Sequence, residues 1–114
     1  MSETLGERIK RIRLSQKLGL RETAIKVSIS ATYLSRIENN LEPNPTEEKI
    51  RALADVLEDN FDELMQLAGR VPTEVTDMIK ADSNMPAFLR RAREQNVSAE
   101  KLMELLAKQD AKDK

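Results

Sequence analysis

The sequence predicts an all-α protein, and three observations carry that prediction. Apolar residues recur at helical spacing along nearly the whole of the 114 residues. Ser30, Thr46, Asn60 and Ser98 stand immediately ahead of such runs, where a short polar side chain can accept from the orphan amides of a first turn. Residues 18–39, LGLRETAIKVSISATYLSRIEN, spell two short amphipathic helices joined by a tight polar turn.

The first helix is predicted from Leu5 to Lys17, with Leu5, Ile9, Ile12 and Gln16 on one face. Arg8, Lys10, Arg11 and Arg13 surround that face and are candidates for phosphate contact. The second runs from Leu20 to Val27 and turns Leu20, Ala24 and Val27 inward, Ala24 being small where the next helix must cross close by. Ser28, Ile29 and Ser30 form the turn, Ile29 as an apolar plug and Ser30 as the cap of the third helix, Ala31 to Asn39. At about 100° per residue, Ser35, Arg36 and Asn39 fall within about 60° of Thr32, while Leu34, Ile37 and Glu38 lie opposite. One face is polar and short-chained with a single cation; the other faces a core. Such a helix suits a major groove, where Arg bonds a guanine edge and Ser or Thr bond several bases, although an ordinary solvated surface helix has the same wheel.

Pro43 and Pro45 then force an extended connection. Thr46 caps a fourth helix, Glu47 to Leu57, which places Glu47 and Glu48 at the favourable end of the dipole and points Ile50, Leu53, Ala54 and Leu57 inward. Asn60 caps a fifth, Phe61 to Ala68, with Phe61, Leu64, Met65 and Ala68 facing the core, and Gly69 stops it. Beyond GRVP, Pro72 is expected at the first position of a helix carrying Val75, Met78 and Ile79 to about Lys80. Asp82 to Met85 reads as a turn, and Pro86 opens a helix through Gln95 with Phe88, Leu89 and Ala92. Ser98 caps the last helix, with Leu102, Leu105 and Leu106, and the terminal KQDAKDK is expected to fray. The chain therefore divides into residues 1–71, a five-helix domain, and residues 72–114, a small C-terminal helical segment. Three short amphipathic helices need another surface to bury against: the first domain, or the same segment of a second chain.

Composition narrows the function. There is no cysteine and no histidine, so thiolate or imidazole metal sites, disulfides and the commonest general base lack material. With no glycine-rich phosphate loop among three glycines, an enzyme is not expected, nor a cofactor or metal. No apolar run approaches the roughly 20 residues of a membrane span and no signal-peptide core occurs, which points to the cytoplasm. The net charge of −1 conceals a split. Residues 1–40 hold eight Lys or Arg against four Asp or Glu, whereas residues 41–69 hold two against eight. The positive surplus sits with the paired helices, as steering of one face toward nucleic acid requires.

The stretch from Leu5 to Gly69 resembles the helix-turn-helix domain of the Xre family and the phage lambda-type repressors, most specifically in YLSRIEN followed by PNP. The resemblance implies a five-helix lambda-repressor-like domain in which Arg13 pairs with Glu38. It also implies that Ala31, Thr32 and Arg36 reach base edges with Ser35 between them, and that Asn39 and Arg21 contact phosphate. Only Arg36 has a long reach and a strong guanine preference, so it is the expected determinant of specificity. The chain departs from the family pattern at Gly19, where Ser or Thr usually caps, and at Thr23, which replaces a customary Leu and trims the core. It departs again at Ser28 in a turn position often held by Gly, and at Asn40, the next best residue to Gly for a left-handed helix end.

The expected function is a sequence-specific transcriptional regulator binding double-stranded DNA through the major groove. A homodimeric repressor on an inverted repeat is the leading form, because dimers double the contact of one short helix. The alternative is an antitoxin or partner-controlled regulator whose C-terminal helices hold a second protein.

Overall fold

The computed structural model describes residues 2–42 and 45–112. The chain divides into two compact units, Met1–Pro72 and Thr73–Lys114. The first contains α1 (Leu5–Ser15), α2 (Leu20–Val27), α3 (Ala31–Glu38), α4 (Glu47–Leu57) and α5 (Phe61–Leu67). The second contains α6 (Thr73–Ala81), α7 (Asn84–Glu94) and α8 (Ala99–Lys112). No described helix is long and apolar enough to cross a membrane.

In the first unit α3 packs on α1 and α2, while α4 packs on α1, α2 and α5. Ile9, Leu34, Ile50, Leu53, Leu57 and Leu64 are wholly inaccessible to solvent, with Ile37, Met65, Ala24 and Val27 beside them. In α1 to α5 the apolar stripes expected from periodicity form or border the core, whereas Gln16, expected on the inward face of α1, is exposed beyond the end of that helix, and Ile29 packs on the core as the plug between α2 and α3. Close approach is strictest at Gly6. A Cβ there would strike the carbonyl oxygen of Ile37 and come 2.8 Å from that of Glu38, so α1 and α3 cross backbone to backbone.

Local chemistry sets the helix ends. The hydroxyls of Ser30 and Thr46 and the amide oxygen of Asn60 accept from the amides of Tyr33, Lys49 and Glu63. Thr4 and Glu7 form a reciprocal capping box, Glu7 N–H donating to Thr4 Oγ1 at 3.1 Å and Thr4 N–H to Glu7 Oε1 at 2.9 Å. Lys17, Ser28, Asn40, Glu58 and Gly69 all adopt left-handed backbone just past the ends of α1 to α5. Each lets the following amide reach back to a carbonyl five residues earlier, as from Leu18 to Arg13 and from Ile29 to Ala24. α1 consequently ends at Ser15, two residues short of the sequence expectation, and α3 ends at Glu38 with Asn39 as its C-cap. Pro43 lies outside the described residues, whereas Pro45 is fully buried.

Thr23 is also fully buried, and its Oγ1 finds no hydrogen-bond partner among the described residues. The departure at this position therefore does more than trim the core. It leaves an orphan hydroxyl inside it.

In the second unit, Pro72 precedes α6 rather than opening it, and α7 starts at Asn84 instead of Pro86. The Asp82 carboxylate accepts from Asn84 N–H at 2.9 Å and its carbonyl from Met85 N–H at 3.0 Å. Pro86 then falls in the first turn, where a missing N–H is harmless. Ser98 caps α8 through Lys101 N–H at 3.1 Å; the helix runs to Lys112, and the last two residues of the KQDAKDK stretch lie outside the described residues. None of the described residues of this unit beyond Pro72 is buried. Phe88, Leu89, Leu105 and Leu106 remain 42 to 60% exposed, and Phe88, Ala92, Val97, Leu102 and Leu105 line an apolar cavity of about 320 Å³ between α7 and α8.

Candidate nucleic-acid interface

The paired helices present α3 with one face held and the other free. Ser28 turns the chain at φ 62°, ψ 42°, the left-handed conformation that this position needs and that a non-glycine residue tolerates at some cost. Ser30 then starts α3 through its hydroxyl. Leu34, Ile37 and Glu38 are buried on the back of the helix. Thr32, Arg36 and Asn39 are exposed and Ser35 is half-buried on its front. Ala31 is half-buried and packs on the margin of the core, so only part of it is available to a ligand. Arg21 is exposed in the first turn of α2.

What fixes the back of α3 is a buried ion pair. Arg13 Nε donates to Glu38 Oε2 at 2.7 Å, Nη2 to Oε1 at 2.9 Å, and Nη1 to the Leu18 carbonyl at 2.8 Å. Bonding to the Glu38 carboxylate raises the Arg13 pKa against the opposing effect of burial. One guanidinium thereby ties α1, the α1–α2 turn and α3 together, with planar geometry that a lysine could not reproduce.

Two other cations of α1, Arg8 and Arg11, are also engaged. Arg8 donates to both Asp59 oxygens at 3.0 and 2.6 Å and lies 3.8 Å from Glu63. Arg11 donates to both Glu3 oxygens at 2.7 and 3.0 Å. Hydrogen bonding from Arg8 holds the Asp59 carboxyl below its ordinary range, and bonding from Arg11 does the same for Glu3. The candidacy of Arg8 and Arg11 for phosphate contact is therefore corrected, whereas Arg13 is held by Glu38 as the resemblance implies. Their charge is matched by carboxylates reached over 51, 8 and 25 residues of sequence, which periodicity cannot see. Lys10, Lys17, Arg21 and Lys26 remain exposed.

On the front of α3, Asn39 Nδ2 donates to the Ser35 carbonyl at 2.9 Å and lies 3.3 Å from Ser35 Oγ. Arg36 lies against the segment after the helix, its Nη2 3.2 Å from the Leu41 carbonyl and its Nε 3.5 Å from Glu42 Oε2. Glu42 is a neighbour that the sequence reading missed. Its only signal was an acidic residue six positions after the arginine. No group of three or more His, Cys, Asp or Glu that could hold a metal ion occurs among the described residues.

Residues 6–70 match the family model described as "Helix-turn-helix domain". The chain is 42% identical over 55 residues to the HTH-type transcriptional regulator SinR of Bacillus subtilis (strain 168), covering 46% of this chain and 50% of that protein. It spans about half the length of the curated relatives it matches. The structure of SinR, a master regulator for biofilm formation, in complex with DNA superposes with a TM-score of 0.52 at 34% identity, covering 54% of this chain and 98% of that one. The complex of the SinR and SinI proteins gives a TM-score of 0.53 at 28% identity, covering 96% of this chain and 98% of that one.

Proposed function

The chain belongs to the helix-turn-helix domain family, and from that premise we propose that it is a sequence-specific DNA-binding transcriptional regulator, acting as a homodimeric repressor on an inverted repeat. The observation that carries the proposal is α3 itself: Thr32, Arg36 and Asn39 stand exposed above a back of Leu34, Ile37 and Glu38 that is buried and clamped by Arg13. A front built this way enters a major groove without rearranging the core. The SinR domain, similar in sequence and fold over this unit, has been seen with DNA. Within the interface, Arg36 reads a guanine edge, Thr32, Ser35 and Ala31 make shorter base contacts, and Asn39 and Arg21 meet phosphates. The role is binding rather than catalysis, and the place is the cytoplasm, where the DNA is.

Residues 72–114 supply the dimer. Their apolar side chains, Phe88, Leu89, Leu105 and Leu106 among them, lack cover within their own unit, and burying them against a second copy removes that surface from water. A second reading keeps the same surface for a different protein, favoured by the likeness of nearly the whole chain to a complex of SinR with SinI.

Selection of binding sites from random duplexes with the full-length protein, at two salt concentrations, tests the proposal. The expected product is an inverted repeat with half-sites about one helical turn, roughly 34 Å, apart. Binding without enrichment that fades steeply with salt would reduce the contacts to phosphates alone and defeat it. Deletion of residues 73–114 is expected to abolish dimerisation in sedimentation; a truncated chain that still dimerises defeats the role given to that segment.

A further inference from the structure

The chain leaving α3 turns back upon Arg36. Asn40 is left-handed at φ 60°, and the amides of Leu41 and Glu42 both point to the Arg36 carbonyl, at 2.8 and 3.3 Å. This return brings the Leu41 carbonyl and the Glu42 carboxylate to a single edge of the Arg36 guanidinium, the one formed by Nε and Nη2. In Arg8, Arg11 and Arg13 the same edge is closed by one carboxylate taking both bonds at 2.6 to 3.0 Å. In Arg36 it is held loosely by two acceptors, and Nη1 has no partner among the described residues. The side chain stays 50% exposed and that of Glu42 33% exposed.

A guanidinium has two edges capable of paired donation, and a guanine O6 and N7 need only one. We infer that Glu42, together with the Leu41 carbonyl, is a positioning residue for Arg36: it occupies the Nε–Nη2 edge and leaves the Nη1–Nη2 edge for a guanine. The inference rests on the DNA-reading function proposed above and assigns to Glu42 a part of its specificity. A free arginine loses much rotamer entropy when it engages a base, and a side chain already restrained along one edge loses less. The carboxylate also repels phosphate, so it weakens backbone binding to any sequence while sharpening the choice at one base pair.

The test uses full-length protein and the sequence enriched by the wild type. Arg36→Ala identifies the base pair that Arg36 reads, as the position where preference disappears. Affinities of wild type, Glu42→Ala, Arg36→Ala and the double variant are then measured on the enriched duplex and on one altered at that pair. Glu42→Ala is expected to lower the guanine preference about two- to fivefold, the scale of an exposed ion pair, while binding to unrelated duplex holds or tightens. In the Arg36→Ala background, removing Glu42 is expected to leave base preference unchanged. An unchanged or increased guanine preference in Glu42→Ala overturns the inference, and tighter cognate binding in the same variant makes Glu42 a competitor for Arg36. Failure of the wild type to enrich any sequence defeats the DNA-reading proposal itself and this inference with it. Because Glu42 is on the surface, its variant tests recognition rather than folding.

Discussion

Replacing Glu38 by alanine removes the carboxylate that closes two of the three bonds of Arg13, in a pair whose side chains are only 9% and 4% exposed. The guanidinium is left with the Leu18 carbonyl as its remaining partner in a largely buried site. Breaking a buried pair from one side destabilises by about 3 to 5 kcal/mol, because an uncompensated charge remains. A domain the size of the first unit has roughly 4 to 11 kcal/mol in all, at about 0.05 to 0.15 per residue. The variant is therefore expected to be marginal. Tyr33 is the sole tyrosine and there is no tryptophan, so intrinsic fluorescence during urea unfolding reports on the first unit. With a urea dependence of about 1.5 kcal/mol per molar, the midpoint falls by about 2 to 3 M. Arg13→Met combined with Glu38→Leu, which removes both charges, is expected to recover most of that loss. A loss under about 1 kcal/mol for Glu38→Ala alone is the scale of a solvated surface bridge and would refute the account of the clamp.

Three further outcomes follow from the packing. Gly6→Ala should destabilise by about 1 to 3 kcal/mol in thermal or urea melts, opposite in sign to the gain of about 1 kcal/mol that helix propensity alone predicts. A stabilised variant would show that α1 and α3 are not in backbone contact. Thr23→Val should raise stability by about 1 kcal/mol, since it removes a buried hydroxyl without a partner at nearly constant volume; a loss would mean that the hydroxyl is satisfied. Asp59 is stabilised as its anion by Arg8, with its pKa lowered from 3.8, so its contribution is fully present at neutral pH and disappears as pH falls below that value. Asp59→Asn should cost about 1 to 3 kcal/mol near neutrality, and the gap from wild type should close in acid. A gap independent of pH would assign the loss to packing.

The order of the described helices and the inward faces of α1 to α5 were legible in the sequence, because helical periodicity and capping act within four residues. Leu34, Ile37 and Glu38 fell on the back of α3 by angle alone, and Ser30, Thr46, Asn60 and Ser98 announced their helices by side-chain type. The Thr4–Glu7 capping box was equally local and equally readable from its spacing. The left-handed helix ends divide by chemistry. Gly69 and Asn40 carry a recognisable preference for that conformation, whereas Lys17 and Glu58 adopt it only because the next helix is anchored to the core on the far side of the turn. The partners of the cations were beyond local reading for the same reason. Arg8 meets Asp59 because α1 and the start of α5 are brought together by burial of apolar faces, which is indifferent to charge, and Arg36 meets Glu42 because the left-handed Asn40 turns the chain back after α3. The orphan hydroxyl of Thr23 belongs with them, since whether a buried donor is satisfied depends on which neighbours the fold delivers. The sequence by itself determined which faces of α1 to α5 turn inward; the tertiary structure decided which of the remaining charges, those of Arg8, Arg11 and Arg36 among them, are met by carboxylates and which are left for a ligand.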